Sequence, residues 1–171
     1  PGDDAPEAGA AASQTAPGSA AIAYAGLKIA GAGDHIGSSS SIYGGTYNLF
    51  KYTLARLGIE VTFVENQDDV AEWAAAVRPN TKLFFAETIG NPKINILDIE
   101  NVAKVAHDNQ LPLIVENTIA TPYLIKPFDC GADIAVHSAT KTLGGNGSAS
   151  AGTIADGDTV ADGRTRHPDQ S

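Results

Sequence analysis

The sequence predicts an α/β fold, a mainly parallel sheet with helices on both faces, and two observations carry that prediction. Apolar runs of strand length alternate along the chain with segments of helical periodicity. Most of those runs are continuously apolar, as in strands covered on both sides. Composition permits such a core. Of 171 residues, 43% are hydrophobic, and 18 Gly with 9 Pro stay below the roughly 25–30% share that marks low-complexity chains.

Residues 1–17 (PGDDAPEAGAAASQTAP) are small, acidic and proline-punctuated. Without a large apolar side chain to offset ordering entropy they are expected to be disordered. The folded core is expected over 18–157, and 158–171 reads as a polar tail with Val160 as its only large aliphatic residue. Within the core, 18–30 reads as a small-residue helix and 34–39 (DHIGSS) as a short strand. Leu49, Phe50, Thr53, Leu54 and Leu57 recur at helical spacing, with Gly58 as C-cap. A strand over 59–64, a helix from Asp68 to Val77 and a strand over 81–87 follow. Asp98 precedes Ile99, Val102, Ala103 and Ala106, an i, i+3, i+4, i+7 stripe with a carboxylate at its N-terminus. Residues 111–117, 132–138 and 151–156 (AGTIAD) read as further strands.

Charge and cysteine content narrow the function. Lys and Arg number 11 against 20 Asp and Glu, a net charge of −9, which argues against a phosphate-backbone binder. Nucleic acid is not an expected partner. Cys130 stands alone, so neither an internal disulfide nor a multi-thiolate zinc site can form. Residues 8–27 are uncharged but hold only Ile22, Tyr24 and Leu27 as large apolar groups, too few for a span of about 20 apolar residues. No basic residue precedes Lys28, so no secretory leader is read. The expectation is a cytoplasmic protein with no membrane partner.

Three strand ends carry unusual polar residues: Glu87–Asn91, Glu116–Thr118 and Ser138–Lys141. In parallel α/β sheets ligands bind beyond the carboxyl ends of the strands, so these ends are the functional lead. HSATKTLGGNG (137–147) places the hydroxyls of Ser138 and Thr140 beside Lys141, ahead of Gly144, Gly145 and Gly147. That set suits a phosphate-bearing cofactor held next to an amine, as pyridoxal phosphate (PLP) requires for its Schiff base. It equally describes a polar loop with a surface lysine. Glu116 could pair with a pyridinium nitrogen, or be a strand-end acid facing solvent. Tyr43 opens YGGTYN, where Gly44 and Gly45 allow close backbone approach; its ring could stack on a cofactor or belong to the core. Gly18 and Ser19 begin the first helix, where free N–H groups favour a phosphate.

Other signals are weaker. GAGDHIG (31–37) has G-x-G-x-x-x-G spacing and precedes a strand, so the dinucleotide-loop pattern is not met. Cys130, Asp133 and His137 are metal ligands by type, but strand packing accounts for them more simply. Trp73 and Phe50 are read as core, and no G-x-S-x-G nucleophile elbow occurs.

The segments SSSSIYGGTYNLFKYTLARLGIEV, FFAETIGNPKINILDI, PLIVENTIATPYLIKPFDCGADIAVHSATKTLGGNG and AGTIADG together resemble the Cys/Met-metabolism (trans-sulfuration) family of PLP-dependent enzymes. The resemblance runs from about Gly18 to Gly157. It implies an incomplete, PLP-binding large-domain core of the fold-type-I transferases, a central fragment whose complete form is a homo-oligomer, dimer or tetramer. Lys141 is then the Schiff-base lysine and proton shuttle, and Tyr43 stacks on the ring and assists proton transfer. Backbone N–H groups of Gly18 and Ser19, with the Ser138 and Thr140 hydroxyls, hold the phosphate. Asn91 hydrogen-bonds the phenolic oxygen, Glu116 faces the pyridine nitrogen and Thr118 lies under the ring. The implied activity is γ-replacement, turning O-acetylhomoserine and sulfide into homocysteine and acetate in methionine and cysteine metabolism. Cystathionine γ-synthase or methionine γ-lyase activity, or a non-catalytic cofactor-binding fragment, are the alternatives.

Departures accompany the matches. Glu116 replaces the family's aspartate and adds a methylene, where errors of about 1 Å can cost on the order of a hundredfold in rate. Ser19 stands where relatives have Gln or Met, and Asn146 where many have histidine. The family's N-terminal Tyr-x-Arg segment has no counterpart, and Arg164 and Arg166 do not match its substrate-carboxylate arginine.

Overall fold

In the computed structural model, residues 11–15, 18–138 and 152–156 are described, with side chains over 21–138. Among them are strands β1 (Ala11–Thr15), β2 (His35–Ser39), β3 (Glu60–Val64), β4 (Thr81–Glu87), β5 (Leu113–Glu116), β6 (Ile134–His137) and β7 (Gly152–Asp156). The helices are α1 (Gly18–Ile29), α2 (Gly44–Asn48), α3 (Val70–Ala75), α4 (Ile99–Asp108) and α5 (Thr121–Leu124). A π-helical stretch, Leu49–Leu54, continues α2, and a 3₁₀ turn, Pro127–Cys130, leads into β6. No helix among the described residues is long and apolar enough to cross a membrane.

One sheet in the order β1-β7-β6-β5-β4-β2-β3 joins the strands. Its five strands from β6 to β3 run parallel, whereas β7 pairs antiparallel with β6 and β1 antiparallel with β7. The parallel sheet read from the continuous apolar runs is therefore present, flanked by an antiparallel edge. The expected disorder of residues 1–17 is corrected over Ala11–Thr15, which pairs with β7 from Ala11↔Asp156 to Thr15↔Gly152. Large side chains are not needed there, because β7 offers an edge of backbone donors and acceptors that a small-residue strand can satisfy. The polar tail 158–171 lies outside the described residues.

Two apolar layers cover the sheet. On one face Ala21, Ile22 and Ala25 of α1, with Phe50 and Leu54, pack against Ile36, Leu83, Phe85, Ile114, Ile134 and Val136. On the other, Trp73 of α3 and Val102, Ala103 and Ala106 of α4 pack against Phe84, Ala86, Leu113 and Val115. Alternate residues of β4 and β5 thus point to opposite layers, which explains why both strands read as unbroken apolar runs. Gly37 sits where a Cβ would come 2.7 Å from two ring carbons of Phe84, so the strand gives up a side chain to let that ring lie flat on it.

Chain direction locates a crevice. From β2 the connection through α2 and the π-helical stretch crosses the α1 face to β3. The next two, through α3 to β4 and through α4 to β5, cross the opposite face. Neighbouring strands β2 and β4 therefore mark a topological switch point, where the chain leaves their carboxyl ends in opposite directions.

Candidate functional site

At this switch point the chain leaving β2 meets the end of β4. Tyr43, extended at φ −52°, ψ 135° just before α2, donates its backbone N–H to Oε1 of Glu87 at 2.7 Å. Its side chain remains 47% exposed at the rim. Gly45 enables this placement, because a Cβ there would lie 2.5 Å from Tyr43 Cε1. The YGGT pair thus has a steric reason, in addition to backbone approach.

Glu87 and Glu116 are in register on β4 and β5, so both carboxylates lie on the α1 face at the carboxyl ends of their strands. They are 3% and 9% exposed. Glu116 is held by its own chain two residues on: the Thr118 N–H donates to Oε2 at 3.3 Å, and the Thr118 hydroxyl donates to Oε1. Ser138, just beyond β6, donates its N–H to Thr118 Oγ1 at 2.7 Å. A continuous set of hydrogen bonds therefore runs from the end of β6 through Thr118 to the carboxylate that ends β5.

Second contacts fix the loops. The Thr88 hydroxyl lies within bonding distance of both Asn117 Oδ1, at 2.8 Å, and the Glu116 carbonyl, at 3.2 Å. Asn117, fully buried, donates its side-chain amide to the Ile125 carbonyl at 2.9 Å. Asn91 lies partly buried in the loop after β4, which the Ile89↔Ile96 bridge and the Gly90 N–H to Asn95 carbonyl bond close at 2.8 Å. Gly18 and Ser19 are the first residues of α1, which packs over β6 and β7.

The described structure thus brings Tyr43, Glu116, Thr118 and Ser138 to one set of strand ends, together with Glu87, which sequence reasoning had only as the start of a polar segment. Its signal was present: a single acid closing the apolar run LFFA is either solvated or purposeful, and this one is buried. Thr140 and Lys141 lie outside the described residues. The metal-ligand types do not converge: Asp133 instead accepts the Leu113 N–H at 2.7 Å and pairs with His107 Nε2 at 2.9 Å. No group of three or more His, Cys, Asp or Glu suited to a metal occurs among the described residues. A cleft of about 570 Å³ lined by Phe50, Lys51, Glu60 and Arg78 sits by the start of β3, away from these strand ends.

The residues present fit a flat, phosphate-bearing pyridine ring. An exposed aromatic face, a buried carboxylate held by donors, and a helix start on the same face would offer such a group stacking, a partner for a ring nitrogen, and N–H groups for a phosphate.

Comparison with known proteins agrees. A family model described as Cys/Met metabolism PLP-dependent enzyme matches residues 5–169. An O-acetyl-L-homoserine sulfhydrylase of Corynebacterium glutamicum is 56% identical over 140 residues, 82% of this chain and 32% of its own length. A Campylobacter jejuni protein crystallised with a pyridoxyl-lysine monophosphate residue superposes with a TM-score of 0.88 at 37% identity, over 91% of this chain and 38% of that one. Cystathionine gamma-lyase of Lactobacillus plantarum, complexed with L-serine, superposes at 0.86 with 38% identity, over 90% of this chain and 40% of its own. The chain spans about a third of the length of the curated relatives it matches.

Proposed function

The chain belongs to the Cys/Met metabolism family of PLP-dependent enzymes, and on that premise we propose that it forms the cofactor-binding core of an O-acetylhomoserine sulfhydrylase. The observation that carries the cofactor reading is the convergence of Tyr43, Glu116, Thr118 and Ser138 on the carboxyl ends of β2, β5 and β6. The reaction assigned is γ-replacement of O-acetylhomoserine by sulfide, giving homocysteine and acetate. It is favoured over the lyase reading because curated relatives at 56%, 50% and 51% identity are named O-acetyl-L-homoserine sulfhydrylase or homocysteine synthase, although the solved sulfhydrylase and lyase structures, at 35% and 38%, do not separate the two.

Bound PLP supplies an electron sink conjugated to the substrate's Cα. In this reading the chain's residues do the rest. Tyr43 lies over one face of the ring and excludes water from it, its phenol placed to exchange protons with the substrate. Glu116 keeps the ring nitrogen protonated. Its extra methylene is absorbed by folding the carboxylate back onto Thr118, so Thr118 acts as the clamp of the acid while also lying under the ring. Ser138 and Thr140, with the first N–H groups of α1 at Gly18 and Ser19, hold the phosphate; Asn91 bonds the phenolic oxygen. Lys141 supplies the amine that anchors the cofactor and carries protons between carbon centres. The partners are a small amino-acid substrate and sulfide, in a cytoplasmic homo-oligomer.

The test is the visible spectrum of the purified chain after PLP addition, followed by borohydride reduction and mapping of the label by mass spectrometry. A visible band with the label on Lys141 is expected, and its loss in Lys141→Ala. Label scattered over other lysines would refute the site, and a labelled full-length enzyme that did not consume O-acetylhomoserine with sulfide would refute the substrate.

A further inference from the structure

We infer that Glu87 is the positioning residue for Tyr43, setting where that ring stands at the mouth of the site. Its bearing on the cofactor rests on the function proposed above; the contact itself does not. Glu87 ends β4, Tyr43 follows β2, and these are the two strands between which the chain's connections part to opposite faces. A side chain reaching across that crevice fixes its width. Glu87 does so through Oε1, which accepts the Tyr43 N–H at 2.7 Å.

Three features make this more than incidental packing. Glu87 as a residue is 3% exposed, so its side chain has been withdrawn from water, a cost that only strong bonds offset. A carboxylate accepting a backbone N–H makes a charge-assisted bond, stiffer than a neutral one. The bond also falls at the last residue of the link from β2 to α2, directly before the helix, where Gly45 lacks the Cβ that would collide with the ring. With the backbone pinned by Glu87 and the ring admitted by Gly45, Tyr43 has little freedom to swing as a rigid body. Glu116 beside it, in register, is clamped separately by Thr118. The two acids therefore divide the work: one fixes the aromatic face, the other meets the ring nitrogen.

The test uses the 171-residue chain labelled with ¹⁵N-tyrosine, its five tyrosine amides followed by hydrogen exchange, with Tyr43→Phe to identify the Tyr43 signal. Glu87→Ala should speed exchange at Tyr43 at least tenfold, weaken PLP binding by about tenfold and alter the visible circular dichroism of bound cofactor. Glu87→Gln, which keeps an acceptor oxygen, should retain most of both. Emission from Trp73, the only tryptophan and fully buried, reports whether each variant is folded. If Glu87→Ala loses the native emission, Glu87→Asp takes its place, because a carboxylate one methylene short no longer reaches the Tyr43 N–H and should reproduce the same losses. Unchanged exchange at Tyr43 in a folded variant overturns the inference. So does faster exchange with PLP affinity and dichroism as in the parent. A parent chain that takes up no PLP would count against the proposed function, and exchange at Tyr43 alone would then decide whether Glu87 holds it.

Discussion

His35 illustrates how a single buried residue ties stability to pH. It is fully buried at the start of β2, its Nδ1 2.8 Å from the Thr81 hydroxyl and its Nε2 2.8 Å from that of Thr62. Arg78 donates its backbone N–H to Thr81 Oγ1 and its guanidinium to both Thr62 and Glu60. Burial, and then the Arg78 charge, push the imidazole below its ordinary 6.5, with Glu60 opposing. The unfolded chain therefore binds a proton that the folded chain resists, so stability is full above about pH 6.5 and falls as pH drops through that value. Urea midpoints measured from pH 7.5 down to 5.5 should decline, and His35→Gln should flatten the decline. An unchanged slope would show that His35 takes no part in the linkage.

At the scale of elements, α4 shows how a local signal and tertiary packing divide the work. Its stripe Ile99, Val102, Ala103 and Ala106 lies in the layer beneath Trp73 and Phe84, and Asp98 caps its start by accepting the Asn101 N–H at 3.1 Å. Asp98→Ala should cost about 1 kcal/mol, read as a lower urea midpoint, with Asp98→Asn close to the parent. Gly58, at φ +78°, ends the helical stretch after α2 in a conformation that other residues resist. The short strands are different. β5 and β6 have four residues each, yet their ends carry Glu116 and lead directly to Ser138. Their register, Glu87↔Glu116 and Glu116↔Val136, is what gathers the polar ends at one level of the sheet.

For the molecule as a whole, the proposed site is a product of sheet order, since its residues come from the ends of β2, β4, β5 and β6, far apart in the chain. A ligand that binds across those ends must stabilise the entire sheet. PLP at a hundred times its dissociation constant contributes about 2.7 kcal/mol by mass action. At about 2–4 °C per kcal/mol for a chain of this size, the melting midpoint should rise by about 5–10 °C. Lys141→Ala should show a smaller rise. An identical rise in the variant would mean that the cofactor binds elsewhere, and it is checked by differential scanning calorimetry with and without PLP.

The sequence by itself determined most of the elements between Gly18 and His137 and their order. Continuous apolar runs marked β4, β5 and β6, a capped stripe marked α4, and the polar residues after those runs marked the face that carries chemistry. These signals are local, written in periodicities of two and 3.6 residues and in single caps. The strand at Ala11–Thr15 was not legible, because pairing with β7 rests on backbone groups that every residue carries. Only tertiary structure decided that β2 lies beside β4, that Glu87 reaches the Tyr43 N–H, and that Thr118 folds back onto Glu116. Those contacts join residues 44 positions apart or depend on a side chain's curl, and no spacing rule encodes either. The residue types of the proposed site were thus legible in the chain, while their mutual geometry came from the spatial order of the strands in the sheet.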